Sequence, residues 1–91
     1  MTEQEFANVW DALGDTPEEA ANMTMRSHLM IAIQQQVKGW GLTQGEAARR
    51  LGLTQPRLSD LLRNKIDKFG LDALVLIATR ARLNVKLDVA A

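Results

Sequence analysis

Residues 42–65 read LTQGEAARRLGLTQPRLSDLLRNK, and the punctuation of this stretch decides the fold. Thr43 offers a capping hydroxyl with Glu46 three residues on, the spacing of a capping box that opens a helix. Ala47, Ala48 and Leu51 make that helix's inner face, and Gly52 permits the left-handed residue that ends it. Ala48 is small where two helices cross closely, and Leu53 plugs the turn from the core side. Thr54 then caps a second helix, whose first turn tolerates Pro56 because the missing N–H is not needed there. Leu58, Leu61 and Leu62 point inward, leaving Gln55, Pro56, Arg57, Ser59, Asp60 and Arg63 outside. Two short helices joined by a glycine turn, the second showing polar side chains outward, predict a helix-turn-helix. That device sets one helix in the major groove of DNA.

Working upstream, Thr16-Pro17-Glu18-Glu19 is a helix start, with Thr16 as cap, Pro17 in the first position and Glu19 completing a second capping box. The helical pattern runs to Val37 and stops at Gly39-Trp40-Gly41, with Met25, Leu29, Ala32, Ile33, Val37 and Trp40 as its expected buried stripe. Thr24 could cap a fresh helix, so a break near Asn22–Thr24 is an open alternative. Met23, Met25 and Met30 read as core filler. Before this helix, Phe6, Val9, Trp10 and Leu13 share one face of a short helical arm ended by Gly14-Asp15. Two turns cannot hold their own structure, so the arm packs either on its own domain or on a second chain.

Downstream, KIDKFG is a connector in which Ile66 and Phe69 pin the loop to the core. A further helix is expected from Leu71 to about Arg82, with Leu71, Leu74, Val75, Ile77, Ala78 and Ala81 available for burial. The tail then changes period. Leu83, Val85, Leu87 and Val89 alternate with Asn84, Lys86 and Asp88, the pattern of a half-buried strand. A lone strand leaves its backbone groups unpaired. It is therefore expected to pair with its counterpart across a dimer axis or with a partner's sheet edge, against a frayed tail as the plain alternative.

The expected fold class is all-α, a compact bundle of about five helices with a short C-terminal β-strand. Residues 1–15 form the arm, 16–82 the helix-turn-helix domain and 83–91 the tail. Ninety-one residues suffice for one domain and not two. The chain has no cysteine, which removes disulfides and thiolate metal sites and fits a reducing cytoplasm. Its N-terminus is acidic, without a signal sequence, and no apolar run is long enough to cross a bilayer.

Net charge is zero, but the charge is segregated. Residues 1–37 hold six acids and one base, net −5, whereas residues 38–68 hold seven bases and three acids, net +4. Positive charge thus collects on the segment that reads as a DNA binder. An enzyme is not expected. No glycine-rich phosphate loop, nucleophile–base pair or metal cluster is present, the capping glutamates already have structural roles, and His28 has no second ligand. No metal or cofactor is expected.

The same 24 residues resemble the XRE (phage repressor and Cro-like) helix-turn-helix family. Counting Gln44 as first, alanine falls fifth (Ala48), glycine ninth (Gly52) and an aliphatic residue fifteenth (Leu58). Apolar residues also fall fourth, eighth, tenth and eighteenth, at Ala47, Leu51, Leu53 and Leu61. The phrase TQPRLSDLLRNKIDKFGLDAL, the TPEEAANM segment and the closing alternation look like one subgroup of that family, similar to HigA-type antitoxins encoded beside a RelE-like or HigB-type toxin.

The resemblance implies base-edge contacts from Gln55 and Arg57, with glutamine suited to adenine and arginine to guanine. Ser59 would reach base or phosphate, Pro56 would offer only apolar contact, and Asp60 would accept from a cytosine amine or orient Arg57 or Arg63. Thr43, Gln44, Thr54, Arg63, Asn64 and Lys65 would meet the phosphate backbone. Leu83, Val85, Leu87, Val89, Phe6 and Trp10 are the expected dimer or partner contacts. The expected function is a cytoplasmic repressor, homodimeric on a palindromic operator and paired with a toxin as its antitoxin. A stand-alone repressor, or an interaction module that no longer reads DNA, are the alternatives.

Overall fold

The computed structural model of the chain describes residues 16–91. Four α-helices lie within them: α1 (Pro17–Trp40), α2 (Gln44–Leu51), α3 (Gln55–Leu62) and α4 (Leu71–Arg80), with a single 3-10 turn at Ile66–Lys68 between the last two. The expected arm helix, with Phe6 and Trp10, falls outside the described residues.

The caps form where the sequence places them. Thr16 Oγ1 accepts from the Glu19 N–H at 3.1 Å, and Pro17 occupies the first turn of α1. Helix α1 is continuous for 24 residues, so the break at Asn22–Thr24 does not occur. The Thr24 hydroxyl donates back to the Ala20 carbonyl at 3.0 Å instead of capping a new start. The helix also runs three residues past Val37, through Gly39, and ends at Gly41 in the left-handed region.

The buried stripe of α1 is rotated from the expected one. Met23, Met30, Ile33 and Val37 are buried, while Met25 is 42% exposed and Leu29 and Trp40 are only partly covered. The reason lies in the neighbours, because α1 packs most extensively on α4 but also meets α3 and the 3-10 turn. A helix with partners on several sides does not show one clean stripe. Trp40 closes its end of the helix under the Arg50 guanidinium, 4.6 Å from the ring centroid.

The core gathers Met30 and Ile33 of α1, Leu51 of α2, Leu58 and Leu61 of α3, Phe69, and Leu74 of α4. Phe69 is fully buried and Ile66 packs beside it, so the connector is pinned as its apolar residues require. On α4, Leu74, Ile77 and Ala78 are buried, but Val75 is exposed, contrary to expectation. It lies at the edge of the inward face, about 100° round the helix from Leu74.

Three helices end in the same way. After α2, the Leu53 N–H donates to Ala48 and the Gly52 N–H to Arg49; α3 repeats the pair with Lys65 to Asp60 and Asn64 to Leu61. Helix α4 repeats it again with Leu83 to Ala78 and Arg82 to Thr79. The residues that take the left-handed turn are Gly52, Asn64 and Arg82, at φ 70°, 64° and 67°. Side chains from distant elements also reach carbonyls near these ends: Gln34 Nε2 donates to Leu61 O, as a second donor there, and Gln36 Nε2 to Ala81 O, both at 2.8 Å. Arg26 Nη1 donates to Phe69 O at 3.1 Å, and Arg80 Nη1 to Leu51 O at 3.2 Å.

Residues 83–91 form no strand, which corrects the expectation drawn from their alternation. Strand structure is a property of paired backbones, and no other extended segment is present among the described residues to supply the pairing.

Candidate nucleic-acid interface

Helices α2 and α3 pack on one another through Ala47, Ala48, Leu51, Leu58 and Leu61, all buried. Gly52 makes the turn between them possible on two counts. Its φ of 70° disfavours any side chain, and a Cβ there would collide with the Arg80 guanidinium that lies across the turn. Leu53 is half-buried against the core, as its role as a plug requires.

Both N-termini are capped and exposed. The Glu46 N–H donates to Thr43 Oγ1 at 3.2 Å while Glu46 Oε1 accepts from the Thr43 N–H at 3.1 Å, a complete capping box. The hydrogen bonds from the Thr43 backbone and hydroxyl hold the Glu46 carboxyl below its ordinary range, with smaller help from Arg49 and Arg50. At α3, the Arg57 N–H donates to Thr54 Oγ1 at 3.2 Å. The two helix starts are neighbours: a Cβ on Gly45 would stand 3.9 Å from Gln55 Oε1. Their combined ends present uncapped N–H groups and the exposed side chains of Gln44, Gln55 and Pro56 on one surface.

Arg57 stands differently from a free base reader. Its guanidinium stacks on Phe69, 4.1 Å from the ring centroid, and Nη1 donates to Lys68 O at 2.9 Å. The side chain is half-buried and ties α3 to the connector. Ser59 is also half-buried beside the exposed row. Asp60 orients neither Arg57 nor Arg63. It bridges Lys65 Nζ at 3.7 Å and Lys68 Nζ at 3.6 Å, which corrects the expected pairing. The cause is the turn after α3: with Asn64 left-handed, the chain doubles back and carries both lysines alongside the last turn of the helix.

Arg63 and Asn64 are exposed at the end of α3, and Thr43 and Thr54 are exposed at the helix starts. The site thus collects Thr43, Gln44, Thr54, Gln55, Pro56 and Ser59 about the paired helix starts, and Arg63, Asn64 and Lys65 at the far end of α3. Lys68 belongs with the second group and was not singled out from the sequence. Its only sequence signal is its share of the positive charge of residues 38–68, since it lies beyond the helix break.

A helix-turn-helix domain family model matches residues 12–90, nearly the whole chain. The chain belongs to the helix-turn-helix domain family. No curated protein matches it. The match extends beyond the two motif helices, over α1, α4 and most of the tail. Within the described residues of the domain, no helix is long and apolar enough to cross a membrane. The ordinary partner of a helix-turn-helix domain is duplex DNA.

Proposed function

We propose that the protein is a sequence-specific transcriptional repressor, non-enzymatic and cytoplasmic, that binds a palindromic operator as a homodimer. The observation that carries this reading is the outward N-terminal surface of α3, where Gln55 and Pro56 stand clear of the core and Ser59 is half-buried beside them. Gln55 reads a base edge directly, adenine being its best bidentate partner. Arg57 has two tasks, holding the 66–69 turn in the free protein and swinging to guanine when a groove is offered. Thr43, Gln44 and Thr54 contact phosphate beside the helix starts, while Arg63, Asn64, Lys65 and Lys68 grip the backbone from the other end. Phosphate competes with Asp60 for the two lysines, and exposed ion pairs of this length are weak enough to be exchanged.

Within that role we infer an XRE-type antitoxin that represses its own operon and neutralises a RelE- or HigB-like toxin. The support is the resemblance of residues 54–74 and of the closing alternation to HigA-type chains. Two measurements test these readings. Selection of bound duplexes from a random pool should return an inverted repeat, whereas a pool left unenriched would sink the repressor reading. Co-expression with the product of the adjacent reading frame should give a stable complex and rescue growth. If no small basic partner is encoded next to the gene, the repressor stands without a toxin.

A further inference from the structure

The C-terminal tail carries an inference that rests on the dimeric reading above and gives it a surface. Arg82, left-handed at φ 67°, turns the chain out of α4, and Leu83 then packs against the core. Beyond it, Val85, Leu87 and Val89 are 44%, 82% and 77% exposed. Between tail and helices opens a groove of about 740 Å³, lined by apolar residues of α1 and α4, among them Met25, Leu29 and Val75, and by apolar and charged residues of the tail alike, Val85, Lys86, Leu87 and Asp88. Met25 and Val75 are helix residues whose burial the sequence pattern leads one to expect, yet both are exposed here.

We propose that a second copy of this chain covers this surface, the two tails pairing antiparallel with Leu87 on the two-fold axis. Charge complementarity selects both the occupant and the register. With Leu87 facing Leu87, Lys86 of each copy faces Asp88 of the other, and Val85 faces Val89. All apolar side chains then share one face of the paired ribbon, and two opposite-charge pairs lie on the other. The competing registers fail on their own terms. Centring on Lys86 sets lysine against lysine, and centring on Asp88 sets aspartate against aspartate. A slip of one residue puts apolar against polar side chains throughout. Centring on Val85 stops the ladder at Leu83, because Arg82 is left-handed and cannot continue it. A foreign sheet edge could accept the tail, but it would give no reason for Lys86 and Asp88 to flank Leu87 symmetrically. The tail is complementary to itself.

The full chain contains no cysteine, so any single introduced cysteine is unique. Leu87→Cys is expected to give a disulfide-linked dimer under mild oxidation, since facing residues in an antiparallel pair lie about 4.5–5.5 Å apart, within disulfide reach. Val85→Cys alone should not, because its counterpart lies about 13 Å along the ribbon. An equal mixture of Val85→Cys and Val89→Cys chains should cross-link to each other. Sedimentation should show K86D and D88K each weakening the dimer about tenfold, and the double variant K86D/D88K restoring it. Both side chains are exposed, so circular dichroism should be unchanged in all three.

A wild-type chain that sediments as a monomer would overturn the proposal, as would equal cross-linking at positions 85 and 87, or a charge swap that fails to recover the dimer. None of these measurements uses DNA. A chain that cross-links at position 87 yet selects no duplex supports this inference and removes only the repressor reading. Specific DNA binding by a chain indifferent to both charge reversals removes only this inference.

Discussion

Gln55 and Arg57 sit two residues apart on one helix and have opposite free states. Gln55 is exposed beside the start of α2, whereas Arg57 is stacked on Phe69 and bonded to the Lys68 carbonyl. The two substitutions to alanine should therefore separate. Gln55→Ala is expected to cost about 1–3 kcal/mol of operator affinity and relax specificity at one base pair, with the melting temperature unchanged. Arg57→Ala should cost a similar amount by anisotropy titration and also lower thermal stability, since it removes a stack and a hydrogen bond. An unchanged melting temperature would show that the Phe69 stack contributes nothing to the free protein. At the turn, Gly52→Ala should destabilise by about 1–2 kcal/mol from backbone strain, and more if the Arg80 guanidinium cannot move aside. Denaturant unfolding with an unchanged slope would measure it.

At the scale of the element, legibility followed the range of the interaction. Thr43, Glu46, Gly52 and Thr54 act within three or four residues of themselves, and the structure places each where the spacing requires. The failures are of longer reach, Thr24 excepted. Thr24 was ambiguous because a mid-helix threonine can cap forward or bond back, and only its surroundings choose. The exposure of Met25, alone of the three methionines read as core filler, depends on elements that flank α1 from several sides. Gln34, Gln36 and Arg26 read as ordinary polar residues on a helix, yet they bond to carbonyls 27 to 45 residues away. No period in a sequence encodes such pairs. Lys68 was missed because it joins the site only through the doubling back of the chain after Asn64.

The capping box makes a prediction with a definite sign. The Glu46 carboxyl is held below the ordinary value of 4.5, so its contribution to folding is fully present above that value. It is lost as the pH falls through the lowered, folded value. Wild type should thus lose more stability on acidification than Glu46→Gln, the two curves converging at low pH. Parallel curves in a chemical-denaturation series would rule the carboxylate out as a source of acid sensitivity.

For the molecule as a whole, neutrality hides the working charge. Lys65→Ala should weaken binding to all duplexes about equally and flatten the dependence of log K on log salt by about one unit. Dependence on half-site separation tests the dimer. Two copies of α3 must stand about one DNA turn, 34–36 Å, apart, so inserting about five base pairs between half-sites should abolish tight binding. Affinity that survives the insertion would mean that each half-site is bound independently. The period-two tail was legible as a strand pattern, but its structure was not, because a strand belongs to two backbones and the sequence describes one.

The bonds from Gln34 and Gln36 to the ends of α3 and α4 also bear on how the protein opens. An isolated eight-residue helix is not stable in water, and α3 holds its shape only while α1 is in place beneath it. Amide protons of α3 should therefore exchange with solvent only through unfolding that includes α1, at rates set by global stability rather than by local fraying. The surface of α3 is then expected to have no melted intermediate in which it is lost while the rest survives. Heating should therefore abolish operator binding and helicity together, in one transition.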